Sequence, residues 1–248
     1  MKAIILAAGR GSRMGKRTER KPKCLTMLGG KSLLEWQITA LTSGGVTEIG
    51  IVTGYLADQI KVPGARYFYN GRWDHTNMVS SLQAADIWLQ ESPAIVTYSD
   101  IFYSAEPVKR LINATSDISL TYDPNWLSLW RKRFNDPLTD AETFQINQEG
   151  FLEDIGQKPD SLSEVEGQFM GLLHFKPNGW RQAQKVLQNL RTAEVESLDS
   201  TALLRRLIHN KHSIAAIPSL ESWGEVDSEA DLLVYQNLFR EGAFPWMN

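Results

Sequence analysis

KAIILAAGRGSRMGKRTERKPKCL, residues 2–25, joins an unbroken apolar run to a loop crowded with positive charge, and the fold follows from that junction. The run Ala3–Ala8 offers no polar residue to either side, the pattern of a strand in a parallel sheet that is buried on both faces. Behind it, seven of the fourteen residues from Arg10 to Lys23 are Lys or Arg, opposed only by Glu19, in a chain of formal net charge −3. So local a cluster implies a small polyanion at the end of a buried strand. A mildly acidic chain with no broad basic face argues against nucleic acid as the partner.

Working outward, SLLEWQITALTSGG (32–45) places Leu33, Leu34, Trp36, Ile38 and Leu41 at near-helical spacing and stops at Gly44-Gly45. EIGIVTGY (48–55) reads as a second strand, NMVSSLQAADIWLQ (77–90) as a helix and AIVTYSD (94–100) as a strand. The alternation predicts an α/β fold of three α/β/α layers, with a mixed, mostly parallel sheet between helices. Further on, DISLTYDPNW, TFQINQEGFLEDIG and MGLLHFKP read as strands with turns, and GWRQAQKVLQNLR and STALLRRLIHN as helices. HSIAAIPS and WGEVDSEADLLVYQNLF supply a last strand, a turn and a terminal helix. No repeat, linker or low-complexity tract divides the chain, so the expectation is one domain over 1–248, with a nucleotide half at about 1–100 and an acceptor half at about 101–248.

The 248 residues are 42% hydrophobic, enough for a sizeable core. Cys24 is the only cysteine, which excludes an internal disulfide or a Cys-based metal site and makes a reducing cytoplasm the simplest compartment. The first apolar run is too short for a signal segment and no run approaches a membrane span, so no membrane partner is expected. The apolar ending GAFPWMN suits either a homo-oligomer interface or a packed tail.

Ligands of such sheets bind beyond the carboxyl ends of the strands. The basic loop, Gly54-Tyr55 and Ser99-Asp100 all fall there. Two familiar phosphate loops are excluded by counting. G-x-G-x-x-G from Gly9 requires a third glycine where Met14 stands, and a Walker A reading of GGKS (29–32) requires one at Leu25. What remains is a cradle for a triphosphate: Gly9 and Gly11 admit phosphate oxygens to backbone N–H groups, and Arg13 and Lys23 add charge-assisted donors.

AIILAAGRGSRMGKRTERKPKCL resembles the G-x-G-[ST]-R-[LM]…P-K signature of nucleotidyltransferases that make sugar nucleotides and other activated phosphoesters. Its spacing is most similar to bacterial phosphocholine cytidylyltransferases and their phosphonate cytidylyltransferase relatives. The resemblance continues through GVTEIGIVTGYLADQI, YNGRW, TNMVSSL, YSDIFY and WGEVDSEADL, nearly the whole chain. It implies a Rossmann-like, GT-A-like nucleotidyltransferase fold in which Arg13 and Lys23 bind the triphosphate. Leu6, Ala7, Ala8, Gly9, Gly11 and Ser12 would contact the nucleotide, with Asn77 and Ser81 nearby. Asp100, Glu225 and Asp227 would hold Mg²⁺, so the implied catalytic set is Arg13, Lys23, Asp100 and Asp227. The residues themselves support a metal: Mg²⁺ takes a few carboxylates beside water and phosphate oxygens, and Glu225 and Asp227, two apart, share one side of an extended chain. DSEADLL is equally a helix-capping sequence. His75, His174, His209 and His212 have no metal spacing and read as structural.

YDPNWLSLWRKRFNDPLTDAETF (122–144) interleaves Trp126, Trp130 and Phe134 with Arg131, Lys132, Arg133 and the acids Asp123, Asp136, Asp140 and Glu142. Aromatic faces and carboxylates suit an ammonium head, and the cations suit a phosphate end; a surface helix with its aromatic stripe in the core fits the same pattern. Trp126 matches, by resemblance, a tryptophan of the choline site. ESLDSTALL replaces further cage aromatics and offers Asp199 instead. IGQKPDSLSEVEGQFMGLL resembles sugar nucleotidyltransferases and nominates Lys158 and Glu166. The expected acceptor residues are therefore Trp126, Arg133, Lys158, Glu166 and Asp199.

The resulting expectation is an Mg²⁺-dependent cytidylyltransferase moving CMP from CTP to a small phosphate or phosphonate, of the 2-aminoethylphosphonate or phosphocholine type, with release of pyrophosphate. The alternatives are a sugar-1-phosphate nucleotidyltransferase, a GT-A glycosyltransferase and a non-catalytic nucleotide-binding regulator. Ser99-Asp100-Ile101-Phe102 lacks the Asp-x-Asp motif a glycosyltransferase would carry.

Overall fold

The computed structural model describes residues 1–247. Its frame is a seven-stranded sheet: β1 (Lys2–Ala7), β2 (Glu48–Thr53), β3 (Arg66–Tyr69), β4 (Ala94–Tyr98), β5 (Ile118–Asp123), β6 (Gln168–Phe175) and β7 (Ala215–Pro218), in the spatial order β7-β5-β6-β4-β1-β2-β3. Neighbours run parallel except β6, which is antiparallel to both β4 and β5. The helices are α1 (Leu33–Ser43), α2 (Met78–Gln83), α3 (Asp86–Glu91), α4 (Ala105–Ile112), α5 (Trp126–Arg133), α6 (Pro177–Gln188), α7 (Thr192–Ser197), α8 (Ser200–His209) and α9 (Glu229–Arg240).

The apolar run behaves as its composition demands. Ile4, Leu6 and Ala8 enter one buried cluster with Val79, Trp88, Trp180 and Leu203 from α2, α3, α6 and α8. Ala3, Ile5 and Ala7 enter the other with Leu34, Leu41, Val108 and Leu111 from α1 and α4. Each Ile or Leu so buried contributes roughly 1.5–3 kcal/mol, so β1 gains from both faces. The sheet is mixed and mostly parallel between two helical layers.

Local signals set the boundaries. Ser32 and Glu35 form a capping box that starts α1, and Gly45, at φ 107°, turns the chain after it. The stretch 77–90 differs from the single helix expected. It divides into α2 and α3 at Ala84-Ala85, where the bonds to Ser81 and Leu82 tighten to i→i−3. The edge strand β3 was not expected at all, because only Phe68 of its four residues is buried and no apolar run announces it.

The chain leaves β1 for β2 and β3 on one side and returns to β4 on the other, so the sheet reverses its winding beside β1. A crevice opens at such a point, outside the strand carboxyl ends. A third cluster closes it: Met14 from the basic loop packs with Leu33, Phe102, Val226, Leu232, Tyr235 and Phe244. The ending is accordingly a packed tail through Met247, which is itself buried; Asn248 lies outside the described residues.

Candidate active site

Acids far apart in sequence meet through a short piece of backbone. Beyond β4, Ile101–Phe102 pairs antiparallel with Gly224–Glu225, and the Val226 N–H donates to the Asp100 carbonyl at 2.9 Å. Val226 is fully buried, and its neighbours Glu225 and Asp227 turn the other way, as two residues of an extended chain must. Carboxylate oxygens of Asp100, Glu225 and Asp227 thereby lie within 4.8 Å of one another. The capping reading holds at the same place. Ser228 caps α9, and Asp231 Oδ2 accepts from the Asp227 and Ser228 N–H groups at 3.2 and 2.8 Å.

Lys23 reaches into this cluster. Its Nζ lies 2.7 Å from Asp100 Oδ2 and 2.7 Å from Asp227 Oδ1, and Arg13 Nη2 lies 2.9 Å from the same Asp227 oxygen. Burial alone would lower the Lys23 pKa, but Asp100 and Asp227 outweigh it and hold the ammonium above its ordinary value. Burial, then Asp227 and Asp100, push the Glu225 carboxyl up. Arg13 remains 68% exposed in its side chain, whereas Lys23 is buried. The loop geometry explains the glycine: Gly11 has φ 67°, and a Cβ there would stand 2.6 Å from Lys23 Cδ. Gly9 borders open space, while Ser12 begins a 3₁₀ turn that Met14 anchors in the core. Leu6, Ala7 and Ala8 are buried at the end of β1, with the Ala8 carbonyl accepting from the Tyr55 N–H.

The donor set fits a divalent cation. Three carboxylates converge, and Asp100 Oδ1 is buried with no hydrogen-bond partner, an orphan oxygen that a cation would satisfy.

A cavity of about 210 Å³ adjoins the cluster, bordered by Arg13, Glu225 and Asp227 at one end and by Glu142, Asp199 and Asp140 elsewhere. Tyr98, Trp130, Phe144 and Phe169 supply its aromatic walls. Tyr98 packs edge-on to Phe169, and Gly171, at φ 77° in an irregular stretch of β6, leaves room for the Tyr98 ring. Asp199 also caps α8, accepting from the Ala202 N–H at 2.7 Å. Burial, with Asp199 next, pushes the Glu142 carboxyl up to about 7. The nearby Arg205 commits its guanidinium to the carbonyl of Gly156 at 2.8 Å. The cavity is thus acidic and partly aromatic.

Of the acceptor residues expected from sequence, the structure brings only Asp199 to this cavity. Trp126 is buried and does not line it, its indole N–H donating to the Val165 carbonyl at 3.1 Å, while Trp130, one turn on, borders the space. Arg133 turns inward, its side chain fully buried against Asp231, and so presents no free cation to an acceptor. Lys158 and Glu166 are exposed, and Glu166 accepts from the Ile146 N–H outside the cavity. Asn77 caps α2 and donates to the Ser197 carbonyl, and Ser81 accepts from Asn70 Nδ2, so both are engaged within the protein. Glu142 carries no sequence signal beyond its place among neighbouring acids; only folding sets it beside Asp199.

Among the described residues no helix is long and apolar enough to cross a membrane. A family model described as MobA-like NTP transferase domain matches residues 3–145. The chain is 33% identical to a CTP:phosphoglutamine cytidylyltransferase from Campylobacter jejuni subsp. jejuni, over 94% of this chain and 98% of the relative. It is 33% identical to a 2-aminoethylphosphonate cytidylyltransferase from Lancefieldella rimae, over 43% of this chain and 45% of that one. Among solved structures, the CTP:phosphocholine cytidylyltransferase of Streptococcus pneumoniae superposes with a TM-score of 0.70 at 22% identity, covering 96% of this chain and 98% of that one. The structural likeness establishes the Rossmann-like nucleotidyltransferase architecture.

Proposed function

The chain belongs to the MobA-like NTP transferase family, and on that premise we propose that it transfers CMP from CTP to a small phosphorylated or phosphonylated amine, releasing pyrophosphate. The observation that carries the acceptor class is the pairing of Glu142 and Asp199 in the cavity that also borders Glu225, Asp227 and Arg13. Two carboxylates face one small space, and burial with Asp199 outweighs the pull of Arg205, whose Nη1 donates to the Gly156 carbonyl, so the pair forms a seat for an ammonium group. Aromatic walls complete a mixed site suited to a primary ammonium better than to a full quaternary cage. The relative matching along nearly the whole chain, acceptor half included, is named for phosphoglutamine, which also carries an amino group.

In this reaction an acceptor oxygen attacks the α-phosphorus of CTP, the bond from α-phosphorus to the bridging oxygen breaks, and pyrophosphate leaves with the electron pair. A phosphate-type acceptor is already substantially anionic near neutrality, with a second pKa of about 6 for monoesters, so no protein base is required. Arg13, exposed in its side chain, neutralises the departing phosphates. Lys23 carries its charge from the acid cluster to the nucleotide, and the Gly9–Gly11 backbone admits the phosphates closely. Asp100, Glu225 and Asp227 would hold Mg²⁺, which when bound offsets charge on the triphosphate.

The test is pyrophosphate release measured across CTP, UTP, ATP and GTP against phosphoglutamine, 2-aminoethylphosphonate, phosphocholine and glucose 1-phosphate. CTP with an amine-bearing acceptor is the expected pairing. Preference for the hexose phosphate would overturn the acceptor class, and release with no pairing in the presence of Mg²⁺ would overturn the catalytic reading.

A further inference from the structure

Arg133 is the most completely buried cation near the site. Its side chain is 0% exposed. Nε donates to Asp231 Oδ1 at 2.9 Å, and Nη1 stands 3.6 Å from Glu225 Oε2, a charge contact longer than a hydrogen bond. Both Nη1 and Nη2 are buried without hydrogen-bond partners. Aromatic faces hold the plane in place, Trp130 at 4.8 Å and Phe134 at 4.9 Å.

A guanidinium stripped of water with two idle donors is costly as a purely structural element, since a buried charge needs compensation in full. Its neighbours explain the placement. Asp231 uses Oδ1 for Arg133 and Oδ2 for the backbone N–H of Asp227, so a single carboxylate ties the guanidinium to the segment that carries two of the three clustered acids. Arg133 therefore touches this segment twice, once at the Glu225 carboxylate and once through Asp231.

We propose that Arg133 is a positioning residue for the divalent cation: it fixes the Glu225 carboxylate and the Asp227 backbone in the arrangement that the cation requires. The inference rests on the metal reading of Asp100, Glu225 and Asp227. Lys23 can leave the cluster for the nucleotide, but Arg133, locked between two rings and Asp231, stays as the fixed counter-charge. Partners that orient a metal ligand in this way typically matter by about 10–100-fold in metal affinity.

The test is Mn²⁺ binding to the CTP-loaded protein, followed by the loss of the free-ion electron paramagnetic resonance signal. Arg133→Met should bind Mn²⁺ about 10–100-fold more weakly, with CTP affinity in the presence of a chelator unchanged. Arg133→Lys keeps the charge but cannot serve Asp231 and Glu225 together, so it should fall between, and it decides the matter if the Met variant fails to fold. Native Mn²⁺ affinity in Arg133→Lys overturns the proposal. So does equal loss of CTP affinity in chelator, which marks a general disturbance of the fold. In a Glu225→Gln background the Arg133→Lys change should cost clearly less than in the unmodified protein, because the route through the Glu225 carboxylate is already lost and only the one through Asp231 remains; a fully additive loss places its action elsewhere and overturns the proposal. If the unmodified protein takes up no Mn²⁺ with CTP, it is the metal reading itself that fails.

Discussion

Lys23 Nζ lies 2.7 Å from Asp227 Oδ1, inside the group of acids best suited to hold a divalent cation. The ammonium and a metal ion are competitors for the same oxygens. Lys23→Met should therefore tighten Mn²⁺ binding to the nucleotide-free protein several-fold while lowering turnover by about 100-fold or more, the usual cost of losing one preorganised donor. Calorimetric metal titration and a pyrophosphate assay on the same preparation check both arms, and weaker metal binding in the variant would contradict the competition.

Gly11→Ala should damage the same lysine from the loop side. The residue sits at φ 67°, where a side chain costs roughly 1–2 kcal/mol, and its Cβ would press on Lys23 Cδ. The expected result is a melting temperature lowered by a few degrees together with a CTP affinity reduced more than that of Gly15→Ala, a position at φ 57° with nothing within 4 Å. Gly15, at ψ −131°, lies outside the left-handed helical region of Gly11, so the stability losses need not match, and it is an equal loss of CTP affinity at the two positions that would remove the Lys23 contact from the account.

Glu142 is pushed up to about 7, by burial first and Asp199 next, so it gains its charge as pH rises through neutrality. An ammonium acceptor is held by the charged form, and its KM should fall between pH 6 and pH 8 while the KM for CTP changes less. Glu142→Gln should raise the acceptor KM about 10-fold or more and flatten this dependence, since a hydrogen bond to a charged group is worth roughly 1.5–3 kcal/mol. Steady-state kinetics with the acceptor varied at saturating CTP provide the measurement.

His174 on β6 is 1% exposed with neither ring nitrogen partnered, and burial, with Lys176 adding, pushes its pKa down to about 4. The unfolded chain binds a proton near pH 6.5 that the folded protein refuses, so stability is complete above that pH and is lost as pH falls toward 4. The loss across this window is roughly 3 kcal/mol at 1.36 kcal/mol per unit. Urea unfolding of His174→Leu should show a shallower decline between pH 7 and pH 5 than the unmodified protein, and identical slopes would remove the histidine from the account.

Much of this was legible from residue order alone, for physical reasons. Strands buried on both faces, such as Ala3–Ala8 and Ala94–Tyr98, declare themselves as continuous apolar runs, and the loop after the first one carries its charge in sequence. The acids were singled out by the resemblance of YSDIFY and WGEVDSEADL to family segments, supported by the place of Asp100 after a strand and by the two-residue spacing of Glu225 and Asp227, which the fold uses as an alternation about buried Val226. The acceptor side was less so. Arg131, Lys132 and Arg133 read alike as cations for the phosphate end of an acceptor, yet helix phase sends Arg133 inward and leaves its two neighbours exposed. Trp126 and Trp130 are equally aromatic and equally helical, and only packing decides that Trp130 borders a cavity while Trp126 is buried against Val165. Glu142 depends on Asp199, which arrives at the start of a distant helix. β3 escaped notice because an edge strand buries little.

The pairing of Ile101–Phe102 with Gly224–Glu225 also has a consequence for how the molecule comes into being. During synthesis from the N-terminus, the loop with Lys23 and the strand that precedes Asp100 emerge long before the two acids that complete the cluster. That contact spans more than a hundred residues of chain, so the acid set is completed only by sequence made near the end of synthesis. Chemical competence is thus tied to the late part of the chain: one truncated before Gly224 would own the phosphate loop and lack two of the three acids.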